Sequence, residues 1–122
     1  MYGKPLFQGF LIVLMVSFFV GCSVEKSRNE APVWAMINNN ALLVDVRTES
    51  EFHDGHLPGA KLIPISQVSS RIAEFGEDKD REIVLYCKGG VRAAKAEKIL
   101  RANGYTQVVN AGGYKDLLKA KP

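Results

Sequence analysis

The sequence feature that most restricts this chain runs from residue 82 to residue 102. An apolar run, Ile83, Val84, Leu85 and Tyr86, leads straight into Cys87, then Lys88, Gly89, Gly90, Val91 and Arg92. Beyond it Ala93, Ala94, Ala96, Ile99 and Leu100 recur at helical spacing. A strand that passes a cysteine to a glycine-bearing loop and then to a helix belongs in an α/β layer structure. The same order sets a chemistry. Backbone N–H groups at a helix entrance have no carbonyl partners and converge as a positive cradle. A sulfur held there is stabilised as a thiolate, the nucleophilic form of cysteine. Arg92 and Lys88 are the nearby cations, and Gly89 and Gly90 let the loop amides approach a bound group closely.

The flanking segments extend this pattern. Pro32 stands at the start of an apolar helical run that Asn38, Asn39 and Asn40 end. Residues 41–46 form a continuous apolar stretch, as expected of a strand buried on both faces, and Asp45 and Arg47 stand at its carboxyl end. Thr48 is placed to cap a short helix over 48–53, and residues 60–65 give a second strand that Pro64 puts near an edge or an end. Val68, Ile72 and Phe75 are spaced for a helix capped by Ser66 and stopped by Gly76. Residues 82–86 are the central strand. A helix follows the cysteine loop and closes at Asn103 and Gly104, residues 106–109 form a further strand, and Gly112 and Gly113 open a last helix over 114–120. The fold class is α/β, with a mostly parallel central sheet and helices on both faces.

Within 122 residues there is room for one domain. The net charge of +3, with no basic run and no arginine stripe among aromatics, gives no case for nucleic-acid binding. Residues 1–22 read as an export signal: Lys4 near the amino terminus, an apolar segment over 10–20 broken by Ser17, then Gly21 and Cys22. That segment falls short of the ~20 residues a membrane-spanning helix needs. Phe19, Val20, Gly21 and Cys22 resemble a bacterial lipobox, in which the cysteine is acylated and becomes the new amino terminus. The expected organisation is therefore a leader over 1–22, a polar tether over 23–30 and a domain over 31–122, held by lipid to the periplasmic face of a bacterial membrane. Cys22 and Cys87 are the only cysteines. Lipidation of Cys22 leaves Cys87 as a lone thiol in an oxidising compartment, which points to reactivity. His53 and His56 have no partnering cysteine, so no metal site is expected.

Leu43, Val44, Asp45, Val46 and Arg47; Glu51 and Phe52; Gly55, His56, Leu57, Pro58, Gly59 and Ala60; Ile63 and Pro64; the Cys87 to Arg92 loop; and Gly112 with Gly113 together resemble a single-domain rhodanese, with Leu117 and Leu118 standing where that family often has tryptophan. The resemblance covers the chain from about residue 41 onward. It implies a rhodanese-like domain in which Cys87 takes the outer sulfur of thiosulfate as a persulfide and passes it to cyanide or a thiol, with no cofactor. It also implies that the amides of Lys88, Gly89, Gly90, Val91 and Arg92 hold the persulfide charge and that Arg92 grips substrate oxygens. Asp45 and Arg47 are read as supporting residues, Arg47 pairing with Glu51 or a similar acid, and His56 as a loop hydrogen-bonder. Phosphatases and arsenate reductases of the related fold carry one more residue between cysteine and arginine, whereas four intervene here. A binding module or sulfur carrier without catalysis is the alternative from another class.

Overall fold

The structure is a computed structural model that describes Gly3 and residues 30–122. The expected leader, most of the tether, and Cys22 lie outside the described residues. Helix α1 spans Glu30–Asn38, strand β1 Leu42–Asp45, helix α2 Glu49–Asp54 and strand β2 Lys61–Leu62. Two 3-10 turns, Ile65–Gln67 and Ile72–Phe75, lead to β3, Ile83–Cys87. Helix α3, Val91–Ala102, β4, Val108–Gly113, and α4, Tyr114–Lys119, complete the order. Among the described residues no helix is long and apolar enough to cross a membrane.

Every strand pairing is parallel, and the sheet order is β2-β1-β3-β4. The chain therefore winds outward from β1 to β2, then crosses back to β3 and β4. The reversal falls between β1 and β3, where ligands of such sheets sit beyond the strands' carboxyl ends. Arg47 and Cys87 both emerge there. Because successive strand residues face opposite ways, the sheet separates two apolar layers. Val44, Val46, Ile83, Leu85, Cys87 and Val108 pack with α3 residues Ala93, Ala96 and Leu100 and with Val68 and Phe75. Leu43, Val84 and Tyr86 pack on the other face against Val33 and Trp34 of α1 and Leu117 of α4. The Trp34 indole donates to the Leu117 carbonyl at 2.9 Å and so ties the first helix to the last. Helices cover both faces, as the sequence pattern predicts.

Three elements differ from expectation. The single helix expected after Ser66 is two 3-10 turns joined through residues 68–71, and Pro64, with no side-chain bond, stands at the first turn's start. The spacing of Val68, Ile72 and Phe75 serves i to i+3 turns as well as an α-helix, and all that it requires is burial of Val68 and Phe75. β4 begins at Val108 and continues through Gly112 and Gly113, so that pair ends a strand before α4 begins. The second strand, expected over residues 60–65, is only Lys61–Leu62, and Ile65 belongs to the first 3-10 turn.

Candidate functional site

Cys87 ends β3 with 1% of its surface exposed. Immediately after it the chain turns through Gly90, whose φ of 100° lies in the left-handed region that a side chain disfavours. That turn brings the Gly90 N–H to 2.9 Å from the Cys87 sulfur. Burial pushes the thiol up, yet the amides of Ala93, Gly89, Gly90 and Arg92 outweigh it and hold the thiol below its ordinary value. Ala93 lies one residue beyond the loop expected from sequence. Val91, 70% exposed, points its side chain to solvent.

The loop is shaped from outside by β4. Between the pairs Leu85 with Asn110 and Cys87 with Gly113, β3 advances two residues and β4 three, so β4 carries a bulge. Bulges re-aim a strand, often beside functional sites. Here the bulge seats Gly113 against the backbone of the cysteine loop, where an added Cβ would collide with the Lys88 carbonyl oxygen. The requirement for glycine at 113 is therefore a close approach. Asn110 spans the bulge: its Nδ2 donates to the Gly90 carbonyl and its Oδ1 accepts from the Gly112 N–H, each at 2.9 Å. Sequence reading missed Asn110, although its polar side chain within a strand is the kind of misfit that marks such a role.

Arg92 does not present a free fork. Its Nη1 and Nη2 donate to the Glu51 carboxylate at 2.6 and 3.0 Å. Glu51 in turn closes a capping box with Thr48 at the start of α2: the Thr48 N–H and hydroxyl donate to Oε1, and Thr48 Oγ1 accepts from the Glu51 N–H. This ion pair joins residues 41 positions apart and fixes Arg92 beside the sulfur, where the thiolate and the guanidinium favour each other's charged forms.

Arg47 pairs with Asp45 rather than with Glu51. The Asp45 carboxylate, wholly buried, accepts from Arg47 Nε at 3.0 Å, from Nη2 at 2.7 Å and from the Arg47 backbone N–H at 2.9 Å. Nη2 also donates to the Gly55 carbonyl at 2.7 Å. The guanidinium carbon lies 5.6 Å from the ring centre of Tyr86 and 4.6 Å from that of Tyr114. Tyr86 Oη accepts from the Leu57 N–H at 3.0 Å. His56 stacks on Phe52 and its Nδ1 meets the Phe52 carbonyl at 2.8 Å. These groups hold the segment 55–57 against the sheet edge. Lys88 lines a cavity of about 240 Å³ with Arg47, Glu51, Asp54, Tyr114 and Lys115, so its walls carry charge of both signs. Among the described residues no cluster of three or more His, Cys, Asp or Glu could hold a metal ion.

Glu51 gives a stability prediction. Its hydrogen bond from Arg92 comes first among the causes that lower its carboxyl, against a smaller opposing effect of burial, from 4.5 to about 2. A lowered folded-state value means the contribution is complete above the ordinary carboxylate range and fades as pH falls through about 2. The pair touches solvent, so its worth is about 1–2 kcal/mol, below what the full shift implies. Urea unfolding at pH near neutrality is expected to show Glu51→Gln less stable by that amount, with the gap narrowing in acid. A gap that stays constant with pH contradicts the ionic reading.

A parallel α/β sheet here carries a cysteine at a strand's carboxyl end, under helix-entrance amides that favour its thiolate form. The model of the Rhodanese-like domain family matches residues 30–120, and the chain belongs to that family. It is 37% identical over 111 residues, 90% of this chain and 86% of the relative, to an uncharacterised protein of Bacillus subtilis. It is 40% identical over 78 residues, 64% of this chain and 75% of the relative, to the thiosulfate sulfurtransferase PspE of Escherichia coli. Among solved structures, a rhodanese from E. coli with bound anions is similar at a TM-score of 0.60 and 39% identity, over 63% of this chain and 91% of that one.

Proposed function

We propose that the protein is a sulfurtransferase that moves a sulfane sulfur from thiosulfate or a similar donor to cyanide or a thiol, through a persulfide on Cys87. The observation that carries this reading is the Gly90 N–H at 2.9 Å from the Cys87 sulfur, at the head of a loop whose other amides also lower the thiol. With four residues between Cys87 and Arg92, the cradle is sized for a single sulfur atom. Membership of the rhodanese family and likeness to a thiosulfate sulfurtransferase support the same chemistry.

In the first step the thiolate attacks the outer sulfur of the donor. A new S–S bond forms, the bond within thiosulfate breaks, and sulfite leaves with its electron pair. In the second step the acceptor attacks the outer sulfur of the persulfide and the Cys87 thiolate departs. Dividing the transfer in this way is covalent catalysis of the ping-pong type. The loop amides stabilise both anions without reorganising. Arg92, held by Glu51, adds a fixed positive charge beside them. Lys88, which lines the neighbouring cavity, draws the anionic donor in. The reading also places the chain outside the cytoplasm, acylated on Cys22 and held at the periplasmic face of a bacterial membrane.

Mass analysis of the full chain, extracted from bacterial membranes and treated with thiosulfate, tests both parts. The expected result is an acylated amino-terminal Cys22 and the gain of one sulfur atom on Cys87. An accessible, reduced Cys87 that gains no sulfur overturns the transferase and favours a binding module. An unmodified Cys22 overturns the anchor alone.

A further inference from the structure

We propose that Asn110 is a positioning residue of the sulfur site, whose carboxamide fixes the Gly90 carbonyl and with it the turn at Gly90 from which the preceding peptide's N–H reaches the Cys87 sulfur. The argument begins with Gly90 itself. Without a side chain a glycine backbone has wide conformational freedom, yet Gly90, at φ 100°, must hold its N–H in one direction to reach Sγ. Its carbonyl is fixed twice, by the Ala94 N–H at 2.9 Å along α3 and by Asn110 Nδ2 at 2.9 Å from the side. The first of these is an ordinary helical bond. The second crosses from a different strand and holds the peptide that follows Gly90 from the side, which restrains the turn through the Gly90 Cα that joins this peptide to the one bearing the N–H.

The orientation of the carboxamide is not ambiguous. One of its partners is a carbonyl, which accepts, and the other an N–H, which donates, so only one of the two amide orientations satisfies both. The bond to Gly112 holds the bulge that seats Gly113 against the Lys88 carbonyl. A single side chain thus steadies the loop at Gly90 and, through the bulge, at Lys88. Asn110 sits in β4 opposite Leu85, half-buried, where a β-branched residue would suit the strand better. Its bearing on sulfur transfer rests on the function proposed above, but its action on the thiol does not.

Alkylation of Cys87 by iodoacetamide, followed by peptide mass across a range of pH in the full-length protein, separates the possibilities. Asn110→Ala and Asn110→Val both remove the tether, and the second keeps a residue suited to the strand should the first not fold. Each is expected to move the midpoint of the alkylation profile up by about one pH unit, about tenfold less thiolate at a pH below it, with the rate recovered in alkali. A midpoint unmoved in a folded variant overturns the assignment, and so does a rate lowered equally at all pH, since that signals a merely structural role. If thiosulfate adds no sulfur to the parent protein while the midpoint still moves, the positioning role stands and the sulfurtransferase reading fails.

Discussion

Cys87→Ser is expected to abolish sulfur uptake while leaving the domain folded. The two side chains differ by one atom, and a serine oxygen can still accept from the Gly90 N–H, so the loop keeps the bond at 2.9 Å that defines it. What disappears is the ionised nucleophile. The loop lowers the Cys87 thiol through its amides against the opposing effect of burial, and no comparable effect brings an alcohol into the range where it ionises near neutrality. Without thiolate there is no attack on the donor and no persulfide to pass on. Thiocyanate formation from thiosulfate and cyanide is expected to fall by roughly a thousandfold or more. The midpoint of urea unfolding should shift little. Sulfur transfer that survives in the serine variant would assign the chemistry to another group and sink the mechanism.

What the sequence made legible was mostly local. The apolar run before Cys87 and the glycines after it are adjacent in the chain, so strand, loop and helix entrance follow from one short reading, and β3 is an interior strand, between β1 and β4. Thr48 reads as a helix cap, and α2 begins directly after it. The ion pairs show where local reading ends. From sequence, Glu51 is four positions from Arg47, and the pairing of those two looks natural. In the fold Arg47 turns back onto Asp45, two residues away, and Glu51 reaches Arg92 across 41 positions. Burial decides between them: Asp45 is wholly enclosed and must have a cation, whereas Glu51 is at the surface end of α2 and free to serve the loop. Asn110 escaped for the same reason, as did the close approach that Gly113 makes to the Lys88 carbonyl, since each becomes a neighbour of the loop only when β4 lies beside β3. The leader and Cys22 fall outside the described residues, so the fold bears on them not at all.

The second large effect is on stability, at Arg47. Arg47→Met keeps most of the side chain's length and apolar stem but removes the charge that Asp45 is buried against, at 2.7 Å, and the donor to the Gly55 carbonyl. A carboxylate left alone in the interior is strongly unfavourable, and breaking a buried pair from one side costs about 3–5 kcal/mol. In a domain of this size that is a large share of the ~5–15 kcal/mol that holds a native state, and the melting temperature should fall by roughly 15–30 °C. Arg47→Lys retains a charge but not the fork, so it should lie between the parent and the methionine variant. The sign of the Asp45 effect can be isolated: adding Asp45→Asn to Arg47→Met removes the orphaned charge and should restore part of the loss, although the Arg47→Met change has already cost the donor to Gly55. A methionine variant less than about 0.5 kcal/mol below the parent, an amount within the ordinary spread of surface substitutions, would show that the pair does not organise this edge of the sheet. The consequence reaches the sulfur, because Gly55 follows directly on α2 and α2 carries Glu51, which holds Arg92. A loosened segment at 55 is therefore expected to slow alkylation of Cys87 near neutrality as well, and a stable protein with unchanged Cys87 reactivity would disconnect the two ends of the site.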